Sequence, residues 1–347
     1  MAFSTISKSS SYFNTKLWTG NGTNSTAITG VGFQPDMTWI KNRSTTDNHA
    51  IFDAIRGATY RIYPNATDAQ IQATNSLASF DSDGFTLNDG GDANGNGENI
   101  VGWNWKANGS GSANSDGSIN STVSVNTTSG FSIVQYTGTG SAATVGHGLG
   151  VTPNVMLAKR LNSTGQWDMY HSGLSNPKSG SMVLNDTAAF TGDTSIWNNT
   201  DPTSSLVNIG TSSTTNASGG TYVMYCFADV QGFSKFGSYI GNGNANGSFI
   251  YTAFKPAFVI VKRTDNTGHW IMKDWQTPGY NQNDYYLWSD TTDAETSASS
   301  LGIDFLSNGF KLRGTAGNSN GSGGTFIYMA FAEEPLVASN GDPATAR

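Results

Sequence analysis

The chain has 347 residues, of which 12% are charged and 12% aromatic, with 42 Gly and a formal net charge of −7. Counterion release on a phosphate backbone needs a basic face, so this charge argues against a nucleic-acid partner. Charged residues stand at about half the ~25% of an ordinary soluble domain. Gly, Ser, Thr and Asn take their place, which suits short strands joined by tight turns.

The opening residues MAFSTISKSS hold no apolar signal-peptide core. No run reaches the ~18 apolar residues of a membrane span, so none is expected. The sequons at Asn24 and Asn65 follow from the Asn/Ser/Thr-rich composition.

From Trp18 the chain reads WTGNG…FQPDMTWIKNR, and the same wording returns at Tyr136 (YTGTG…VTPNVMLAKR) and Tyr239 (YIGNG…FKPAFVIVKR). Each glycine turn (Gly20, Gly138, Gly241) precedes a proline (Pro35, Pro153, Pro256) by the same interval, and each proline a lysine (Lys41, Lys159, Lys262). His49, Trp167 and Trp270 then follow at one further common interval. Each unit closes on an aromatic run: NIVGWNWKA, GTYVMYCFA or GTFIYMAFA. A domain-sized unit of about 100–118 residues is therefore written three times, which is not a short solenoid repeat.

In chain order, DMTWIK, NVMLAK and AFVIVK are apolar runs of strand length that scarcely alternate, so they read as central strands covered on both faces. Proline fits just before such a strand, where no ladder donor is required. GFTLND, GFKLRG and GTFIYMAF add strands bounded by Gly/Asn turns. Only TDAQIQATNSLASF and TTDAETSASSLGIDF hint at a helical turn. The fold class expected is all-β: three tandem antiparallel β-sandwich modules of jelly-roll or lectin-like type. Their expected bounds are 1–107, 123–229 and 230–336, with a flexible Gly/Ser/Asn linker at 108–122 and a polar tail at 337–347. Module 1 is expected to pivot, and modules 2 and 3 to be stiffly coupled.

The chemistry-bearing residues are scattered. His49, His147, His171 and His269 form no HxH or HExxH pair, and Cys226 is the single thiol, so neither a zinc site nor an internal disulfide is expected. Cys226 reads as a core thiol. Residues Asp89–Glu98, DGGDANGNGE, place oxygen ligands at Asp92, Asn94, Asn96 and Glu98. They read as a glycine-rich hairpin, with calcium as the alternative. Asp53 and Asp274 hold matching positions where module 2 has His171. Paired glycosidase carboxylates require one specialised cleft, which a triplicated module does not suggest. No cofactor and no catalytic residue is expected. The three repeated lysines read as caps that discourage edge pairing, or as ligand contacts.

The densest aromatic stretch is GHWIMKDWQTPGYNQNDYYLWSD, residues 268–290. Trp270 matches Trp167 and reads as core. Trp275 and Tyr280, flanking a Thr-Pro-Gly turn, and Tyr285 are the candidate glycan- or partner-binding residues, since aromatic faces stack on sugars and are enriched at interfaces.

The segments GFQPDMTWIKNRS, GFSIVQYTGTGSAATVGHGLGVTPNVMLAKR, GFSKFGSYIGNGNANG and DFLSNGFKLR…GGTFIYMAFAEEP give the chain a further likeness. It resembles repeat-containing virion structural proteins of tailed phages that infect marine bacteria. The resemblance implies a lectin-like sandwich and a fibre or decoration role on the particle exterior after synthesis in the host cytoplasm, and it supplies no catalytic residues to carry over. Other virion proteins and host-surface glycans are the expected partners, with a homo-oligomer, trimeric in a fibre. A purely structural cement protein and a glycan depolymerase of a phage tail are the alternatives.

Overall fold

A computed structural model describes residues 4–335 of the protein. The polar tail expected at 337–347, and residue 336 of module 3, lie outside the described residues. The all-β expectation holds: strands dominate and every ladder between named strands is antiparallel.

Six sheets form three pairs, each large sheet with a small one. Strands between Phe13 and Trp105 make a six-stranded and a three-stranded sheet, and strands between Ser234 and Pro335 make another six- and three-stranded pair. The middle pair has eight and two strands. In each large sheet the lysine-ending run (Met37–Asn42, Val155–Arg160, Phe254–Arg263) pairs with the closing aromatic strand (Asn99–Trp105, Thr221–Phe227, Thr325–Pro335). Pro256 sits at a bulge in its ladder, where its missing N–H leaves no gap in the pairing.

The absence of alternation in those runs has a direct cause. Val155 and Leu157 point into one interior, whereas Met156 and Ala158 point into another. Phe258 and Ile260 likewise face away from Val259 and Val261. Both faces are covered, as the sequence leads one to expect. One face of each large sheet packs on its own small sheet, giving three separate outer cores.

The other face holds the main correction. It opens not to solvent but to a fourth interior shared by all three modules. At its centre Trp105, Phe227 and Phe331, one from each closing strand, form a triangle of rings with centroid separations of 5.4, 5.7 and 6.3 Å. Phe13 stacks on Phe331 at 5.0 Å, and Trp103 lies 4.9 Å from Phe258. Beside the triangle is an apolar cavity of about 20 Å³, bordered by Trp39, Leu157 and Ile260 from equivalent positions. With no polar surface in its lining to hold a water, such a cavity stays dry. The modules thus surround a pseudo-threefold axis, and module 1 is packed into the common interior and does not pivot.

Two further expectations change. Residues 112–114 of the supposed flexible linker pair with 121–123, and Ile119 is buried in a bridge with Val145. The linker is polar because its backbone is the part that bonds. The helical hint at 67–80 is extended chain, with strands at Ile71–Gln72 and Leu77–Asp81, while 299–301 makes a single 3-10 turn.

Candidate functional site

The repeated residues converge on the seams between modules, and each seam uses the same parts. Lys41 Nζ donates to Asp47 O of its own hairpin (2.8 Å) and to Thr292 O of module 3 (3.0 Å). Lys159 Nζ donates to Gly165 O (2.5 Å) and to Thr67 O of module 1 (2.9 Å). Lys262 Nζ donates to Gly268 O (2.5 Å) and to Thr187 O of module 2 (2.8 Å). The lysines stand in central strands, so they do not guard an edge. They clamp each module to the next, head to tail, and the clamp closes on itself. Burial brings all three down to a pKa of about 8.

The ring residues beyond each lysine do the same. Trp167 Nε1 donates to Tyr63 O (2.8 Å) and Trp270 Nε1 to Val183 O (2.9 Å). Trp39 Nε1 donates to His49 Nδ1 (2.9 Å), which leaves the His49 proton on Nε2 to donate to Trp288 O (3.0 Å). Trp270 is therefore core, as its match with Trp167 implies. Backbone bonds complete the pattern: Gln70 N–H to Leu161 O (2.8 Å), Phe190 N–H to Thr264 O (3.0 Å), Glu295 N–H to Arg43 O (3.0 Å). In the last seam the two side chains also pair, Arg43 Nη2 to Glu295 Oε2 at 2.6 Å.

A repeated feature missed in the sequence supports each glycine turn. Asn94, Asn216 and Asn320 are fully buried, and their Oδ1 atoms accept from Asn21, Thr139 and Asn242 N–H at 3.0, 2.8 and 2.9 Å. A Cβ on Gly20 would lie 2.2 Å from Gly95 O, so the turn can approach this asparagine only as glycine. The signal was present as an Asn that ends each of three short polar turns (Gly91–Asn94, Ser213–Asn216, Gly317–Asn320). Each stands at one common interval before the closing-strand aromatic, Trp105, Phe227 or Phe331, so the repeat itself carried the signal.

The Asp89–Glu98 segment holds one of those helical turns, not a hairpin. Asp92 is taken by Arg61 at 2.5 Å and Ser76 Oγ at 3.0 Å, and Glu98 accepts from Asn42 Nδ2. Among the described residues no group of three or more His, Cys, Asp or Glu converges in a way that could hold a metal ion. Asp53 and Asp274 lie in different seams. Asp53 accepts from Arg56 Nε (2.5 Å) and the Tyr225 hydroxyl (2.6 Å), whereas Asp274 accepts from Thr15 Oγ1 and Trp103 Nε1, both at 2.7 Å. Burial lifts Asp274 to about 6 despite those donors, and lowers His171 to about 4. Cys226 is a buried thiol, pushed up by burial to about 12.

The three aromatic candidates separate. Trp275 is only 3% exposed: it packs edge-on to Phe305 and carries the Lys255 ammonium 4.5 Å above its ring. The Thr-Pro-Gly turn that suggested exposure bonds back to its backbone, Gly279 N–H donating to Trp275 O at 2.9 Å. This candidate is core. Tyr280 is 58% and Tyr285 39% exposed. Tyr285 borders a small crevice with Thr277 and Glu295 above Asp274, and Tyr280 is not among the residues of that crevice.

A further surface feature is one the sequence did not announce. A groove of about 570 Å³ follows the seam between modules 2 and 3, with Leu174, Phe190 and Ile240 as its apolar lining and Ser238, Thr264 and Asp265 as polar groups. Among the described residues no helix is long and apolar enough to cross a membrane.

The chain belongs to the family described as a domain of unknown function, DUF7483, which matches residues 8–335. That match spans all three modules as one unit. No curated protein and no solved structure matches the chain.

Proposed function

We propose that this member of the family is a non-enzymatic structural protein on the exterior of a tailed-phage particle, either a fibre knob or a capsid decoration. Its lobes would meet host-surface glycans or other virion proteins. The observation behind this reading is the closed ring of seams, in which Lys41, Lys159 and Lys262 each clamp the neighbouring module. Such a ring makes a body that resists local opening, because no module can leave without breaking two seams at once. The buried acids Asp53 and Asp274 are engaged in seams and serve the same mechanical end.

The expected homo-oligomer changes form in this proposal. Three modules in one chain already provide a threefold arrangement, so a single chain can sit on a threefold axis of a fibre or shell. The burial of Trp275 removes the largest ring from the glycan candidates and favours contact with virion proteins. Tyr280 and Tyr285 remain the surface aromatics of that stretch.

Purified phage particles carrying this protein provide the test. Antibody-labelled electron microscopy is expected to place it on the exterior, and its absence from washed particles would end the reading. Alanine at both Tyr280 and Tyr285 then separates the partners. Lost cell adsorption by intact particles indicates a glycan contact, and fragile particles indicate a protein contact. Sugar release from host polysaccharide by the pure protein would turn the reading towards a depolymerase.

A further inference from the structure

We infer that the outer edge of the Ser234–Ile240 strand, with the groove beside it, binds an extended polypeptide segment of a partner protein as one more antiparallel strand. The inference concerns this edge alone and holds wherever the protein resides.

The first observation is an internal comparison. Ser234–Ile240 corresponds to Phe131–Thr137 of module 2, because each ends at the glycine turn, Gly241 or Gly138. In module 2 this strand has neighbours on both sides: Thr221–Phe227 on one and Ser121–Asn126 on the other. Among the described residues of module 3 the one strand it pairs with is Thr325–Pro335, and on the outer side it carries a single bridge, Ser234 to Val230. The same framework therefore accepts a strand in module 2 and lacks it, among the described residues, in module 3, as in module 1, where Phe13–Thr19 is likewise an edge. The strand accepted in module 2, STVSVN, alternates hydroxyl-bearing and β-branched residues, which defines the chemistry of the segment that fits.

The second observation is the state of the vacant edge. Phe233 O accepts from Ala332 N–H, and Gly241 N–H donates to Gly324 O, so the odd-numbered residues face the paired strand. Phe236, Ser238 and Ile240 then direct their N–H and C=O groups outward. Asp229 Oδ1 takes the Phe236 N–H at 2.8 Å, and Ser248 Oγ donates to Ile240 O at 2.9 Å. These contacts close the two ends of the edge and leave Ser238 in the open middle, facing the groove.

The third observation is apolar exposure beside this slot. Ile240 is 57% exposed in the groove wall that also holds Leu174 and Phe190. Tyr251, which ends the short Phe249–Tyr251 strand, is 54% exposed. A strand laid along Ser238 would cover the apolar groove wall while its backbone fills the edge. A glycan would use neither the register nor the edge amides. Strand addition to an open sheet edge is a general mode of peptide recognition.

The test uses the full chain and a synthetic peptide of residues 119–128, INSTVSVNTT, as the probe. Hydrogen exchange read by mass spectrometry is expected to show saturable protection over residues 236–241. Ser238→Pro removes the central donor on the outward side, and Ile240→Lys charges the wall without touching the backbone. Each is expected to weaken peptide binding at least tenfold while melting like the parent. No protection at millimolar peptide overturns the inference, as does equal binding by parent and both variants. Protection confined to residues 131–137 would mean strand displacement in module 2 and also overturns it. Protection of 236–241 by a glycan panel and not by the peptide replaces it with a sugar site.

Discussion

The indole N–H of Trp103 donates to Asp274 Oδ2 at 2.7 Å across the seam between modules 1 and 3. In the next seam the Tyr225 hydroxyl donates to Asp53 Oδ2 at 2.6 Å. Met329 occupies the corresponding place in module 3, and the residue matching the two aspartates there is His171, whose Nε2 donates to Tyr328 O at 3.0 Å. A carboxylate is present where the neighbour offers a donor and missing where it offers a thioether. That matching avoids an unpaired buried charge. Trp103→Phe should therefore cost about 1–3 kcal/mol, the penalty for removing one donor from a buried acceptor. Adding Asp274→Leu should recover part of it. Urea midpoints measure both, and a Trp103→Phe protein as stable as the parent would contradict the pairing.

The same seams set two opposed pH dependences. Asp274 has its folded pKa raised from 3.8 to about 6, so the fold favours its neutral form. Its contribution is fully present below the unfolded value and disappears as pH rises through about 6, a swing of about 3 kcal/mol. His171 is lowered from 6.5 to about 4, so its contribution is present above the unfolded value and is lost as pH falls towards 4. The two oppose each other over the same window. Asp274→Asn is therefore expected to make stability fall more steeply from pH 6.5 to about pH 4.5, and His171→Gln to make it fall less. Denaturant titrations across that window check both signs, and parallel curves for parent and variants would refute the assignment.

How far these features could be read in advance depends on which partner each residue meets. The two-faced burial of NVMLAK was legible because covered strands stop alternating, and the repeat was legible because Lys41, Lys159 and Lys262 keep one spacing. What covers the second face was not legible: an apolar residue such as Leu157 carries the same signal whether it meets its own small sheet or two other modules. The buried lysines misled for a related reason. Their role lies in donating to the carbonyls of Thr292, Thr67 and Thr187, and a backbone carbonyl leaves no mark in the sequence. Trp275 looked exposed because a Thr-Pro-Gly turn follows it, and its ring instead packs between Phe305 and the Lys255 ammonium.

Lys159 offers a local probe of the clamp. Its ammonium holds Gly165 O and Thr67 O, and Lys159→Met leaves both carbonyls without that donor. The expected loss is about 2 kcal/mol, in the range for hydrogen bonds to a charged group. The Gln70 amide, which crosses the same seam to Leu161 O, should exchange faster in the variant, while the Glu295 amide in the module 3–1 seam should change less. Because burial lowers this lysine to about 8, the parent should also gain stability as pH rises from about 8 towards 10.5, and the variant should gain less. Unchanged Gln70 exchange would show that Lys159 does not hold the seam.

The shared interior makes a prediction that separates a closed ring from three beads on a string. Independent sandwiches would survive cutting, so residues 108–347 would stay folded and monomeric without module 1. Here the cut bares the faces of Phe227, Phe258 and Phe331 and leaves Lys41's partner carbonyl on Thr292 without its donor. The shortened chain is expected to lose near-UV ellipticity and to aggregate or associate. Head-to-tail seams close into rings when the rotation permits, so a module whose two seam faces match should trimerise alone. Module 1 meets that condition, since Trp103 of one copy would face Asp53 of the next, as Tyr225 does now. Module 3 does not, because Met329 would face Asp274 and leave a buried carboxylate short of a donor. Sedimentation of residues 1–107 and 230–336, each expressed alone, is expected to find trimers for the first and none for the second. Stable monomers of both would show that the modules do not need one another.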